Sequence, residues 1–417
     1  MKILYIHPSF TIYGGAEKVI LDLFRRTKRD FNTELYTLFY SKYIERESGI
    51  NWVSQEGPYF NSIFGFKINP FIMRHIKTLG KLLAERYEPG DIIMMTLFPS
   101  ALILNEAIKL NPAIGKGSNY LFSFEPDRLL YYSESKRLGY LPEDLYSFKF
   151  KLTSILAFQW KRTDYRVIQK YIKEIFTLSD YVTKQTAAIY TNNKVRKATE
   201  LYVDLNLFKI DSKIDSRQKI ESYYKLGLMK DDIILLSQSR IEKSKGIFEL
   251  VDIVKKINAE KSNPKLKLLI GGTGSLIEEL KKRIKGMGNV FLLGFIPSEL
   301  LPYLYGSSDI FVALPRKETG GPLTILEAMY AESIVIGSNE AGPPELIDHN
   351  KTGFLVDPNN STALVNMLKQ ACDLVIHQNH TFKEMQTNAK NKVIQKYTFE
   401  NFYNLLITSL TDNRVSK

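Results

Sequence analysis

Apolar and polar positions along this chain fall into alternating blocks. The segment 2–8, KILYIHP, predicts a buried strand. A turn at Gly14–Gly15 follows, then Val19, Ile20, Leu23 and Phe24, which share one face of a helix. TELYTLF (33–39) and DIIMMTLF (91–98) predict further buried strands, with an amphipathic basic helix over 71–87 before the second. NYLFSFEP (119–126) and EIFTLSD (174–180) add two strand candidates, and 147–172 predicts a long helical region rich in Lys, Arg, Phe and Tyr.

The stretch 203–216, VDLNLFKIDSKIDS, is polar and aperiodic and is read as a linker. A second alternating series follows it. Apolar runs at 232–239, 265–272, 289–295 and 309–315 end in turn residues, and helical patterns occupy 246–258, 275–285, 322–331 and 361–374. Apolar strands alternating with helices predict parallel sheets covered on both faces. The expected class is therefore α/β, with two doubly wound domains and a cleft between them. Such sheets bind ligands beyond the carboxyl ends of their strands, so the loops there carry the candidate chemistry.

At 417 residues the chain is long enough for two or three domains, and 44% hydrophobic with 24% charged residues is an ordinary globular balance. The lone Cys372 excludes an intrachain disulfide framework and a multi-cysteine zinc site. Five scattered histidines do not suggest a metal cluster. No apolar segment is long enough to span a bilayer, and the first residues lack the apolar core of a signal peptide. The expected location is cytoplasmic, or peripheral at the cytoplasmic membrane face. The net charge of +12 implies an anionic partner: nucleic acid, anionic lipid or a phosphorylated small molecule.

The densest constellation is residues 315–357. A glycine-rich loop carrying Glu318 leads into an almost wholly apolar helix with one acid, Glu327, on the face of Leu323, Tyr330 and Ala331. A carboxylate there is either paired in a structural salt bridge or turned to a ligand. Pro322 suits the first helical position, and Gly320–Gly321 lets amides approach an anion. After strand 232–239, Arg240 and Lys245 sit in one loop, either as a diphosphate clamp or as solvated charges. Gly272 and Gly274 follow the next strand as half of a dinucleotide fingerprint, a weak motif alone. The main chain around Phe295 is placed to reach a base edge. In the first half, Gly15 opens a strand–helix turn. Glu125, Asp127 and Arg128 form either a ligand-lining group or a local salt-bridged turn, and His7 reads as a satisfied or semi-buried histidine. There is no Asp-x-Asp, no P-loop, no GxSxG and no HExxH.

The order G-G-A-E-K-V, S-R-…-K-G at 239–246, G-T-G-S at 272–275, ETGGPLTILEAM, and G-P-P-E-L-I-…-G-F-L-V at 342–356 resembles the retaining GT-B glycosyltransferases grouped as glycosyltransferase family 4. The resemblance covers about 1–405. It implies two Rossmann-like domains: 1–204 on the acceptor side, 205–395 binding the nucleotide sugar, and a helix at 396–417 crossing back to the first. It implies Arg240 and Lys245 at the donor diphosphate, Glu327 at the ribose and Glu318 at the donor sugar. The amides near Gly321, Leu323 and Thr324 would lie at the phosphate, with Gly15 close to phosphate or acceptor. Neither a metal nor a separate cofactor is implied. The implied partners are a UDP- or GDP-linked sugar and a glycan or lipid-linked saccharide acceptor.

Two departures stand out. The family usually places seven residues between its two glutamates. Here eight separate Glu318 from Glu327, so Thr319 competes for the first position. The family's N-terminal histidine before a Glu-Pro pair is replaced by Phe124. The expected activity is retaining transfer of a hexose such as glucose or mannose. The competing readings are a nucleotide-sugar epimerase on the same architecture and, from charge alone, a nucleic-acid binder, which leaves both glutamates unexplained and is set aside. Arg74, Lys77, Lys81, Lys149, Lys151, Trp160, Lys161 and Arg162 form a basic, aromatic surface, either for an anionic membrane or a solvated face.

Overall fold

The computed structural model describes residues 1–10, 15–40, 48–54, 70–128, 130–141, 151, 155, 157–190, 194–209, 212–260, 265–316 and 322–411. The chain divides into two units, one of Met1–Leu141 and Leu145–Ala198, the other of Pro142–Asp144 and Thr199–Lys417. The division at Ala198 falls a few residues before the expected 204, and the last helix, Phe399–Thr411, belongs to the second unit. There Thr199 Oγ1 donates to the Phe402 carbonyl (2.8 Å), and Val203 pairs with Thr398.

The first unit is an eight-stranded, all-parallel sheet. Its strands are β1 (Lys2–Ile6), β2 (Ser9–Phe10), β3 (Asn32–Tyr40), β4 (Ile50–Ser54), β5 (Ile92–Met95), β6 (Ser118–Ser123), β7 (Glu174–Thr177) and β8 (Val195–Lys197). β3 lies between β4 and the β1–β2 edge, and β5 to β8 extend the other side of β1 in sequence order. Strand order therefore reverses between β1 and β5. The central strands β1, β3, β5, β6 and β7 are buried on both faces, which is why they read as continuous apolar runs. Leu4 and Ile6 pack under the helices Pro70–Arg86 and Ser100–Leu110, while Tyr5 meets Phe24 of helix Gly15–Asp30 edge-on. The expected helical region 147–172 is described chiefly as helix Phe158–Tyr171.

That last helix carries a fully buried carboxylate. Asp164 accepts from the hydroxyls of Tyr131 (2.6 Å) and Tyr190 (3.2 Å).

The second unit is a six-stranded parallel sheet of β9 (Ile233–Gln238), β10 (Leu266–Gly271), β11 (Val290–Gly294), β12 (Ile310–Ala313), β13 (Ile334–Ser338) and β14 (Phe354–Val356), in the order β11-β10-β9-β12-β13-β14. This is the dinucleotide-fold order 3-2-1-4-5-6, with its reversal between β9 and β12. Helices Ile247–Ala259 and Ser361–His377 supply much of the core packed on it. The linker expected over 203–216 is corrected in part: helix Lys213–Tyr224 starts inside it, its first turn capped by Ser212, whose hydroxyl accepts from the Asp215 amide (3.0 Å). Its only buried residues are Ser216 and Ile220, so no apolar stripe announces it. It is held instead by Lys213 Nζ and Arg217 Nη2 on the Asp309 carboxylate (2.7 and 2.5 Å) and by Arg217 Nε on the Ser307 carbonyl.

Burial pushes the Asp164 carboxyl up to about 7, against the two phenol hydrogen bonds, which act to lower it. An unfolded aspartate titrates near about 3.9, so the folded chain holds the extra proton and this group's contribution to stability declines as pH rises between those values. Asp164→Asn keeps an acceptor for both tyrosines and cannot ionise. Its Tm should fall less than the wild-type Tm between about pH 5 and about pH 8. Equal falls in the two proteins would assign the pH dependence elsewhere.

Candidate active site

At the reversal between β9 and β12, four strand-end loops converge. The loop leaving β9 runs from Ser239 to the short 3-10 turn Lys243–Lys245 and Gly246. It is paired to the loop leaving β10 by Ser239 N→Gly271 O (3.1 Å), Ile241 N→Thr273 O (2.9 Å) and Leu276 N→Ile241 O (3.2 Å). The β10 loop is paired in turn to the β11 exit by Gly272 N→Gly294 O (2.7 Å). The β12 exit joins through Arg316 N→Ser244 O (2.8 Å).

The glycines make this convergence possible. A Cβ on Gly272 would lie 1.9 Å from the Ser239 carbonyl oxygen, and one on Gly274 would lie 2.3 Å from that of Ile241. Gly246, at φ +70°, would put a Cβ 2.5 Å from the Leu314 carbonyl oxygen. Gly272 and Gly274, expected at a ligand, are thus required first by backbone packing against their neighbours. Gly15 differs: it opens helix Gly15–Asp30 in the other unit, exposed, and an added Cβ there would meet nothing within 4 Å.

The cations of the β9 loop are presented unequally. Arg240 is 71% exposed and its Nη1 lies 2.9 Å from Glu242 Oε1, an ion pair worth little in water. Lys245 is half-buried within the 3-10 turn. Phe295, just beyond β11, is 74% exposed. Arg316 was not expected from sequence. Its guanidinium lies 3.0 Å from Glu249 Oε1 and donates to the Pro358 carbonyl (3.2 Å), so it fastens the start of the loop after β12 to helix Ile247–Ala259.

Glu318 and Gly321 lie outside the described residues. The helix behind them is Leu323–Tyr330, with Pro322 as its cap rather than its first residue. Proline has no side-chain acceptor for the first amides, so those of Leu323 and Thr324, both half-buried, depend on another acceptor. Ile325, Leu326, Ala328 and Met329 fill the core, whereas Leu323, Glu327 and Tyr330 are only half-buried. The acid therefore stands on the open face of this helix, not inside the core as its apolar neighbours suggested. Tyr305 of helix Leu301–Ser307 lies within reach of its charge. Burial raises the Tyr305 hydroxyl's pKa well above its ordinary value, and the charge of Glu327 and a hydrogen bond to it raise it further. The same hydroxyl lies 3.2 Å from Gln238 Oε1, at the end of β9.

In the first unit, Glu125 and Arg128 form a 3.1 Å ion pair, and Asp127 Oδ1 accepts from Leu130 N (2.7 Å): the local salt-bridged turn is what forms. His7 is fully buried, with Nδ1 2.8 Å from Thr96 Oγ1.

Residues 218–392 match the family of glycosyl transferases group 1. That stretch, rather less than half of the chain, is what the family resemblance rests on. The chain is 26% identical to the alpha-1,3/1,6-mannosyltransferase ALG2 of Dictyostelium discoideum, over 96% of both chains. It is 28% identical to an uncharacterized glycosyltransferase of Methanocaldococcus jannaschii, over 55% of this chain and 57% of that one. A UDP-Gal:alpha-D-GlcNAc-diphosphoundecaprenol alpha-1,3-galactosyltransferase of Escherichia coli is 26% identical over 57% of this chain and 62% of its own. The chain thus spans little more than half the length of two of these three relatives. Among solved structures, Anabaena HepE in complex with UDP and glucose superposes with a TM-score of 0.72 at 16% identity, covering 99% of this chain and 100% of that one. Sucrose-phosphate synthase of Thermosynechococcus elongatus gives 0.73 at 16% over all of both. The fold of this chain is the two-domain α/β GT-B class.

Substitution should separate the glycines. Gly272→Ala, at φ +123° against a carbonyl, should destabilise the protein by more than about 2 kcal/mol in denaturant titration, and Gly15→Ala by less than about 0.5 kcal/mol. Similar losses for both would refute the packing role given to Gly272.

Proposed function

We propose that the protein transfers a hexose such as glucose or mannose, with retention, from a UDP- or GDP-sugar to a glycan or lipid-linked saccharide. The observation that supports this most is the meeting of groups at the β9/β12 reversal. The loop of Arg240 and Lys245 and the loop that runs into helix Leu323–Tyr330 are joined there, and Glu327 stands on that helix's open face. A parallel sheet offers its ligand site at this point. The relatives named as mannosyl- and galactosyltransferases agree with hexose transfer.

In this reading the donor diphosphate lies on Arg240 and Lys245, displacing Glu242 from the exposed guanidinium. The amides of Leu323 and Thr324 face its negative charge at the positive end of the helix dipole. Glu327 accepts from the ribose hydroxyls, the main chain at Phe295 meets the base edge, and Glu318 contacts the sugar. The bond from the sugar C1 to the diphosphate oxygen loosens first, leaving positive charge on the ring. The cations hold the departing diphosphate, and no metal or separate cofactor is needed. An acceptor hydroxyl then attacks C1 from the same face, its proton passing to the leaving phosphate oxygen.

The basic surface is proposed to rest on an anionic membrane carrying the acceptor. Arg74, Lys77 and Lys81 are exposed on helix Pro70–Arg86, and Phe158 is exposed on helix Phe158–Tyr171. Lys161 is spent on Glu134 (2.6 Å), and Lys149 lies outside the described residues.

Combining Arg240→Ala with Lys245→Ala should lower kcat/KM for the donor, chosen by thermal-shift screening of UDP- and GDP-sugars, by about 100-fold or more. Unchanged turnover at saturating donor would sink their assignment. Sedimentation with phosphatidylglycerol vesicles should exceed that with phosphatidylcholine and fall when Arg74, Lys77 and Lys81 become glutamate. Indifference to lipid charge would remove the membrane.

A further inference from the structure

The 3-10 turn that carries Lys245 lies against the main chain leaving β12, and the contacts fall on either side of that lysine. Before it, the Ser244 carbonyl accepts from the Arg316 amide (2.8 Å). After it, Gly246 comes so near the Leu314 carbonyl that a Cβ would stand 2.5 Å from the oxygen. The place of the Lys245 backbone is thus set by Leu314–Arg316. Three other elements hold that strip in turn. Ser338 Oγ, at the end of β13, donates to the Pro315 carbonyl (2.8 Å). The Arg316 guanidinium donates to the Pro358 carbonyl beyond β14 (3.2 Å) and lies 3.0 Å from Glu249 Oε1. Glu249 stands in the first turn of helix Ile247–Ala259, which begins two residues after Lys245. One side chain therefore ties the β14 exit and the helix that follows Lys245 to the strip on which Lys245 rests.

Stability alone does not account for this pairing. Arg316 Nε and Glu249 Oε2, the remaining donor and acceptor of a side-on fork, are buried and find no hydrogen-bond partner among the described residues. Unpaired buried polar atoms cost free energy, and apolar side chains of similar size would avoid that cost. What apolar side chains lack is direction: a planar guanidinium fixes the bearing of its partners as well as their distance.

We propose that Arg316 is a positioning residue for the donor: through Leu314–Arg316 it sets where Lys245 meets the diphosphate. The proposal rests on the reading of this site as a nucleotide-sugar site. It adds that the diphosphate contact is set by a second cation that acts through Lys245 rather than on the ligand. The main chain at Phe295, assigned to the base, is held separately, through Gly272 N→Gly294 O (2.7 Å), so loss of Arg316 should spare it.

The test is ligand-observed NMR titration, which reads weak affinities, of UDP, GDP, uridine and guanosine. The proteins are wild type, Arg316→Met, Arg316→Lys, Lys245→Ala and Lys245→Ala combined with Arg316→Met. Arg316→Met should weaken whichever diphosphate binds by about tenfold and leave the matching nucleoside unchanged. Arg316→Lys keeps a charge for Glu249 but not the fork, and should recover part of the loss. In the Lys245→Ala background, Arg316→Met should add little. Nucleoside binding at wild-type strength shows that a variant is folded; if Arg316→Met does not fold, Arg316→Lys carries the comparison, with a smaller loss confined to the diphosphate. Equal weakening of diphosphate and nucleoside, wild-type diphosphate affinity without Arg316, or an undiminished further loss in the Lys245→Ala background would overturn the positioning role while leaving the functional reading standing. Wild-type protein that binds neither UDP nor GDP would overturn that reading and this proposal with it.

Discussion

Backbone meets backbone without intervening side chains at the carboxyl end of β9, and the rest of the site depends on it. Ser239, Ile241 and Leu314 each face a glycine whose Cβ would lie within 2.5 Å of a carbonyl oxygen. Loops this close would leave buried amides and carbonyls unpaired unless they paired with each other, and they do, through Ser239 to Gly271, Ile241 to Thr273 and Ser244 to Arg316. A loop fixed at that many points does not wander. Arg240 and Lys245 consequently issue from a rigid frame, although Arg240 itself reaches into solvent. Their geometry depends on the glycines at 246, 272 and 274, where a side chain would strike the neighbouring main chain.

The same economy of contact governs Glu327. A carboxylate fully inside the apolar core would cost several kcal/mol, and one fully in water would be free to turn. Half-burial avoids both. The core side of helix Leu323–Tyr330 anchors the backbone through Ile325, Leu326 and Met329, and the open side carries the acid. Arg316 does related work one loop earlier, joining the β12 exit to Glu249 and to the Pro358 carbonyl.

The strands were legible because parallel strands covered on both faces leave unbroken apolar runs, and all nine strands expected from those runs stand close to where periodicity placed them. The candidate site was legible as a set of loops, because it sits where such strands end. What escaped had no one-dimensional signal. Helix Lys213–Tyr224 is held by ion pairs to Asp309, nearly a hundred positions away, so it needs no apolar stripe. Tyr305 reads as one more apolar-helix aromatic, and only the fold brings it to Gln238 and Glu327. Glycine misleads in the other direction. A G-G-T-G run looks the same whether its missing side chains admit a phosphate or a neighbouring carbonyl, and only the 1.9 Å approach to Ser239 separates the two.

The two sheets share a strand order but not a way of using its reversal. In the first unit the end of β1 is sealed by side chains: the Ile6 carbonyl accepts from Thr96 N, Thr96 Oγ1 and Ser100 Oγ, and His7 is buried against Thr96. In the second unit the corresponding point is bounded by main chain, with charged and polar side chains rising from it. A side-chain seal changes whenever one of its residues does, whereas a main-chain frame persists as long as its glycines do. The proposed donor, with its invariant diphosphate and ribose, suits the second arrangement.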